Sequence, residues 1–230
     1  MGIVNSQNLL VDADDTLWEN NIYFERVIQE VRTLLDLVGG DSSTFRAELD
    51  ENERRRIPLH GYGTVNFTNA LVETFEIFLP PDSDPMLPAK VRQMSLAILG
   101  HPMEIFAGVP ETLAYLSSRH SLFLVTKGDR EEQSGKIRTS NLQGYFRSVE
   151  ILPEKNTRAY SQLLDRHGLE RSCSWMIGNS PRSDINPALA AGMNAVYIPH
   201  KHTWTLEHEE PAEHPSLIEL GKFSDLRLHF

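Results

Sequence analysis

The sequence predicts an α/β fold: a parallel sheet flanked by helices, interrupted early by an all-helical insert. Three observations predict it. Short apolar runs recur at 9–11, 122–125, 149–152, 174–177 and 195–198, and they read as strands buried on both faces. Helical patterns lie between them at 110–118, 130–140, 157–167 and 182–191, and this alternation implies a parallel sheet covered on both sides. Residues 19–100 break the rhythm and hold no good strand candidate.

Each element has its own signal. The first run, Leu9-Leu10-Val11, ends at Asp12 and leads into DADDT. In the insert, Phe24, Val27, Ile28, Val31 and Leu35 recur at helical steps until Gly39-Gly40. Ser43 is the expected cap of a second helix through ENERRR, stopped by Pro58, with the charges on a solvated face. A third helix fits Phe67, Leu71, Val72, Phe75 and Phe78, ending at Leu79-Pro80-Pro81, and a fourth fits 88–99, ending at Gly100. The expected organisation is a Rossmann-like core at 1–18 and 101–230 with a helical cap at 19–100. A cap inserted beside an acidic strand end can act as a lid. The tail from Leu217 to Phe230 adds a last helix or an edge strand.

Composition narrows the function. With 230 residues, 40% hydrophobic and 23% charged, the chain has the make-up of a globular protein with a sizeable core. Its net charge of −10 argues against a nucleic-acid polymer as partner and suits a cytoplasmic protein. A local positive pocket still allows an anionic substrate. Cys173 is the sole cysteine, so no intramolecular disulfide is expected, and it reads as a small core residue beside a strand. MGIVNSQ lacks the basic and long apolar regions of a signal peptide. No apolar run approaches the roughly 20 residues that span a bilayer, so no membrane partner is expected.

Ligands of open α/β sheets bind at the carboxyl ends of the strands. The residues just past each run therefore carry the chemistry. Asp12 and Asp14 share a side of an extended or tightly turned segment. Two carboxylates so close repel unless a cation lies between them, and Mg²⁺ suits an acid pair; the alternative is an acidic turn. Thr126, followed by Lys127-Gly128-Asp129, offers a hydroxyl, an ammonium and backbone N–H groups for a phosphate cradle, or else a helix cap. Lys155, in PEKN, can neutralise phosphate charge. Asn179 and Asp184 can complete a metal site. Each signal alone has an ordinary explanation, but four successive strand ends supply acid pair, hydroxyl, lysine, and amide with acid. The segment HKHTWTLEHEEPAEHP holds His200, His202, His208 and His214. No cysteine accompanies them, and 202 and 208 are not spaced as a helical zinc-ligand pair. They read as incidental histidines of a surface loop pinned by Trp204 and Leu206.

Taken together, these segments resemble the haloacid dehalogenase superfamily, and its phosphatase branch in particular. DADDT at 12–16 resembles the first motif, D-x-D-x-T; LFLVTKG the second; Lys155 the third-motif lysine; and IGNSPRSDINPALAAG at 177–192 the fourth. The resemblance implies a Mg²⁺-dependent phosphatase acting on a small phosphorylated metabolite. Asp12 would attack phosphorus and form an aspartyl phosphate. Asp14 would protonate the leaving alcohol and then activate water. Thr126 and Lys155 would hold the phosphoryl oxygens, with Lys127 and Lys136 as rival lysines, and Thr16 would shape the turn. Mg²⁺ would be bound by Asp12, the Asp14 carbonyl, Asn179 and Asp184. Asn179 stands where the phosphatase pattern has an acid, which implies weaker metal binding with chemistry retained. Phe24, Arg54, Arg55, Arg56, His60, Tyr62 and Phe67 are the candidate pocket residues of the cap.

Two other readings stand beside it. The 2-haloacid dehalogenase branch uses the same aspartate and needs neither metal nor a second acid; Asp14 counts against it and Asn179 for it. A non-catalytic protein on this scaffold is the other: as a phospho-acceptor it would carry its phosphorylated aspartate on a later strand, whereas here the third run ends in LPEK, and as a binding protein it would have no need of the intact Asp12, Asp14, Thr126, Lys155 and Asp184 set.

Overall fold

A computed structural model describes residues 6–230. The start of MGIVNSQ, read above for targeting signals, lies outside them. The described chain divides into two compact units, one of residues 6–19 and 103–230 and the other of residues 20–102.

The first unit is built on six strands: β1 (Asn8–Val11), β2 (Ser121–Lys127), β3 (Ser148–Leu152), β4 (Ser174–Gly178), β5 (Asn194–Tyr197) and β6 (Leu217–Glu219). All neighbours pair in parallel, in the order β3-β2-β1-β4-β5-β6. The tail thus supplies an edge strand. β1 lies inside the sheet, with Val11 opposite Leu124 on one side and Ile177 on the other. Its residues must satisfy both faces. Leu9 and Val11 join one apolar cluster with Leu122, Leu124 and Ile177, whereas Leu10 joins another with Phe123, Val125 and Met176. Each such side chain contributes about 1.5–3 kcal/mol by leaving water. The connecting helices are α5 (Val109–Ser117), α6 (Arg130–Ser140), α7 (Thr157–His167) and α8 (Asn186–Ala190), the last preceded by a π-helical turn at Pro181–Ile185. Asp129 caps α6 by accepting from the N–H groups of Glu131 and Glu132, and Gly168 ends α7 in the left-handed region at φ 63°. Cys173 sits half-buried just before β4 rather than in the core.

The second unit holds α1 (Asn21–Leu37), α2 (Phe45–His60), α3 (Thr64–Phe78) and α4 (Leu87–Leu96). Its core is Val31, Leu35, Phe45, Leu49, Leu71, Phe75 and Val91. Two local expectations are corrected. Thr44, not Ser43, occupies the cap position of α2, and it makes no side-chain cap bond. The helix also runs through Pro58 to His60, because a proline two residues before the end removes one N–H without ending the turn; Gly61, at φ 74°, ends it. The fourth helix gives way after Leu96 to a tighter turn at Ala97–Gly100. The cap arginines have partners within this unit: Arg54 pairs with Glu51, Arg55 with Glu48, and Arg56 with Asn66 and Glu73. Phe24 meets Phe67 edge-on at 4.9 Å.

Candidate active site

The site grows out of the carboxyl end of β1. Asp12 N–H donates to Ile177 O at 2.9 Å, extending the ladder by one residue. The chain then turns, with Leu17 N bonded to Ala13 O at 2.8 Å and Asp15 held at φ 61°. This turn aims its side chains at neighbouring strand ends. Thr16 Oγ1 donates to Asp12 Oδ2 at 2.9 Å and lies 3.3 Å from Asn179 Oδ1. Lys155, three residues past β3, donates to Asp12 Oδ1 and to Asp184 Oδ1 at 2.7 Å. Its side chain is 2% exposed and that of Asp184 is 1%. Asp184 is fixed in turn by Ser180 N–H at 3.0 Å, and Gly178 leaves it room, since a Cβ there would collide with its carboxylate. Thr126 is buried in β2.

Electrostatics at this cluster are unbalanced. Burial raises the Asp12 carboxyl to about 7, against the pull of Lys155 and with Asp184 and Asp14 pushing the same way. Burial works against the Lys155 ammonium too, but Asp12 and Asp184 outweigh it and hold the proton on. One ammonium does not offset the carboxylates around it. A small hard cation fits this donor set: the Asp12 and Asp184 carboxylates and the Asn179 amide oxygen converge here, and Asn179 Nδ2 is turned away to Thr203 Oγ1 at 3.3 Å.

Asp14 faces a separate set of donors. Trp18 Nε1 donates to Oδ1 at 2.7 Å, and Gln133 Nε2 and Lys136 Nζ each donate to Oδ2 at 2.8 Å. Burial favours the neutral acid, but the Lys136 charge and these hydrogen bonds prevail and hold the carboxyl below its ordinary value. The residues expected from the sequence therefore divide. Asp12, Lys155, Asn179 and Asp184 come together through direct bonds and Thr16. Lys136, a rival lysine for phosphate, is instead the partner of Asp14. Lys127 points into another network, donating to Glu207 Oε1, to Ser183 Oγ at 2.8 Å and to Glu154 Oε1 at 3.4 Å. Glu207 also accepts from Ser180 Oγ.

Sequence reasoning missed Gln133, Trp18 and Glu207. The first left a trace, since Gln133 and Lys136 are three apart and share a helix face; Glu207 left none. It also took His200 as incidental. His200 is largely buried, with Nδ1 3.7 Å from Asp15 Oδ1 and Nε2 3.3 Å from Glu19 Oε2. Burial is the main cause that lowers its pKa, against the charge of Glu19.

A family profile described as haloacid dehalogenase-like hydrolase matches residues 64–198, more than half of the chain. The chain belongs to the haloacid dehalogenase-like hydrolases. A crystal structure of a haloacid dehalogenase-like family hydrolase from Xanthomonas campestris resembles this hydrolase with a TM-score of 0.84 and 29% identity, over 97% of this chain and 89% of that one. Two more distant structures share the fold. YfnB from Bacillus subtilis, described as a HAD-hydrolase bound to magnesium, matches with TM-score 0.65 and 16% identity over 97% and 98% of the two chains. L-2-haloacid dehalogenase from Xanthobacter autotrophicus matches with 0.62 and 15% over the same shares. No match was found among curated proteins. Among the described residues no helix of this hydrolase is long and apolar enough to cross a membrane.

Proposed function

We propose that this hydrolase is a Mg²⁺-dependent phosphatase that cleaves a small phosphomonoester through an aspartyl-phosphate intermediate. The observation that carries the reading is Asp14. Displacing halide from a 2-haloacid calls for no proton transfer to the leaving group, yet a second carboxylate stands two residues after the nucleophile and is oriented by Trp18, Gln133 and Lys136. Such preorganisation suits a group that moves a proton.

In this reading Asp12, fixed by Thr16 through Oδ2 and by Lys155 through Oδ1, presents a carboxylate oxygen to phosphorus. Lys155 and Thr126 hold phosphoryl oxygens as charge shifts to the leaving group. Asp14 gives a proton to the departing alcohol and takes one from the water that opens the acyl phosphate. Lys136, by favouring the Asp14 anion, biases it towards the second of these tasks. Bound Mg²⁺ supplies positive charge for the phosphoryl oxygens and keeps Asp12 ionised. Asp12, the Asp14 carbonyl, Asn179 and Asp184 would hold it. Asn179 brings an oxygen without a charge, which is consistent with weaker binding. The engagement of Lys127 by Glu207 argues for a supporting role behind Thr126 rather than a direct one on phosphate.

The test is phosphate release from a panel of small phosphomonoesters, with and without Mg²⁺, by the wild type and Asp12→Asn. Mg²⁺-dependent turnover that disappears in the variant is the expected result. Halide release from 2-haloacids with no phosphate release would instead establish the dehalogenase reading, which the uncharged Asn179 favours.

A further inference from the structure

The third aspartate of DADDT has no part in that chemistry. Asp15 follows Asp14, is 7% exposed, and adopts φ 61°, a backbone region that glycine or asparagine enters more easily. Its carboxylate faces Glu19, at the end of the same turn, and His200, past β5. We propose that Asp15, Glu19 and His200 form a site for a divalent first-row transition ion of the Zn²⁺ or Mn²⁺ kind, separate from the Mg²⁺ ligands proposed around Asp12.

Geometry supports it. One ligand atom from each residue can be chosen so that all lie within 4.8 Å of one another. With His200 ligating through Nδ1, its 3.7 Å distance to Asp15 Oδ1 lies in the range of about 3–4 Å that separates atoms sharing an ion with bonds of about 2.0–2.2 Å. A second observation is independent of spacing. Glu19 Oε2 and His200 Nδ1 are buried atoms with no hydrogen-bond partner. A buried polar atom left unsatisfied costs about 1–3 kcal/mol, and two on facing side chains call for a common explanation such as an ion. The donor set selects the ion. Two carboxylates with one imidazole suit Zn²⁺ or Mn²⁺, whereas Mg²⁺ prefers oxygen alone. Three protein ligands leave positions for water.

Such an ion would join the turn that carries Asp14 to the loop after β5. That loop also supplies Thr203, whose hydroxyl accepts from Asn179 Nδ2. The site does not depend on the phosphatase reading.

Equilibrium dialysis of metal-stripped protein against Co²⁺, in excess Mg²⁺ and with visible spectra, tests it. One Co²⁺ per chain is expected, with d–d bands of a nitrogen-containing ligand set. Glu19→Gln and His200→Gln should each weaken binding at least about tenfold, while Asp12→Asn leaves it intact. Glu19→Gln keeps the shape of a partly exposed side chain, so its loss of binding is readable even where His200→Gln does not fold. Zn²⁺ should raise the thermal midpoint of the wild type and not of Glu19→Gln. Absence of Mg²⁺-resistant Co²⁺ binding, or binding that survives Glu19→Gln or requires Asp12, would overturn the proposal.

Discussion

Single side chains in this protein are defined by the partner that opposes their burial. Glu207 is the clearest case outside the catalytic cluster. Burial pushes its carboxyl up, but the Lys127 charge and hydrogen bonds from Lys127, Ser180 and Ser183 prevail and hold it below the ordinary value of 4.5. A carboxyl depressed in the folded state stabilises the protein above its unfolded pKa, and that stabilisation is lost as pH falls through the folded one. Stability should therefore decline below about pH 4.5, and Glu207→Gln should decline less steeply there. At neutral pH the variant should be weaker by about 2 kcal/mol, since it loses a charge-assisted bond. Urea unfolding between pH 3 and 7 measures both, and equal pH slopes for the two proteins would contradict the assignment.

At the scale of elements, turn chemistry decides where helices stop. Gly168 ends α7 at φ 63° with open space around it, so a methyl group there meets no neighbour and only the backbone objects. Gly168→Ala should cost about 1 kcal/mol in denaturant unfolding with activity unchanged. Signals of this local kind were readable in advance. Gly39-Gly40 follows the end of α1, and the periodic positions Val31 and Leu35 are core. Pro58 misled because its effect depends on how near the helix end lies. The convergence of Asp12, Lys155, Asn179 and Asp184 was also legible, since parallel strands bring their carboxyl ends to one edge. The donors to Asp14 and the partner of Lys127 were not. Gln133 and Lys136 lie more than a hundred residues from Asp14, and Glu207 eighty from Lys127. No period links them, and only the folded chain sets the distance.

The apolar clusters of the core unit and the apolar cluster of the insertion are drawn from separate stretches of chain. The core unit also closes over the point where the other is inserted: Glu19 N–H donates to Glu104 O at 2.9 Å, and Trp18 bridges Ile105. The ends of the insertion are thus held together by the core itself. Replacing residues 20–102 with a short Gly-Ser linker should leave a core that unfolds cooperatively and keeps its far-ultraviolet circular dichroism, because loop-closure cost varies slowly with length. A non-cooperative product would show that the core interior is incomplete alone.

The place of β1 within the sheet bears on how the chain is made. The strand that carries the acids is translated first, yet its neighbours begin at residues 121 and 174. At roughly 5–20 residues per second, the ribosome needs several seconds or more before either flank of Leu9-Leu10-Val11 has a partner. During that interval the nascent chain exposes an apolar segment with both edges open, while the helical insert, whose buried core runs from Val27 to Val91, is already complete enough to fold.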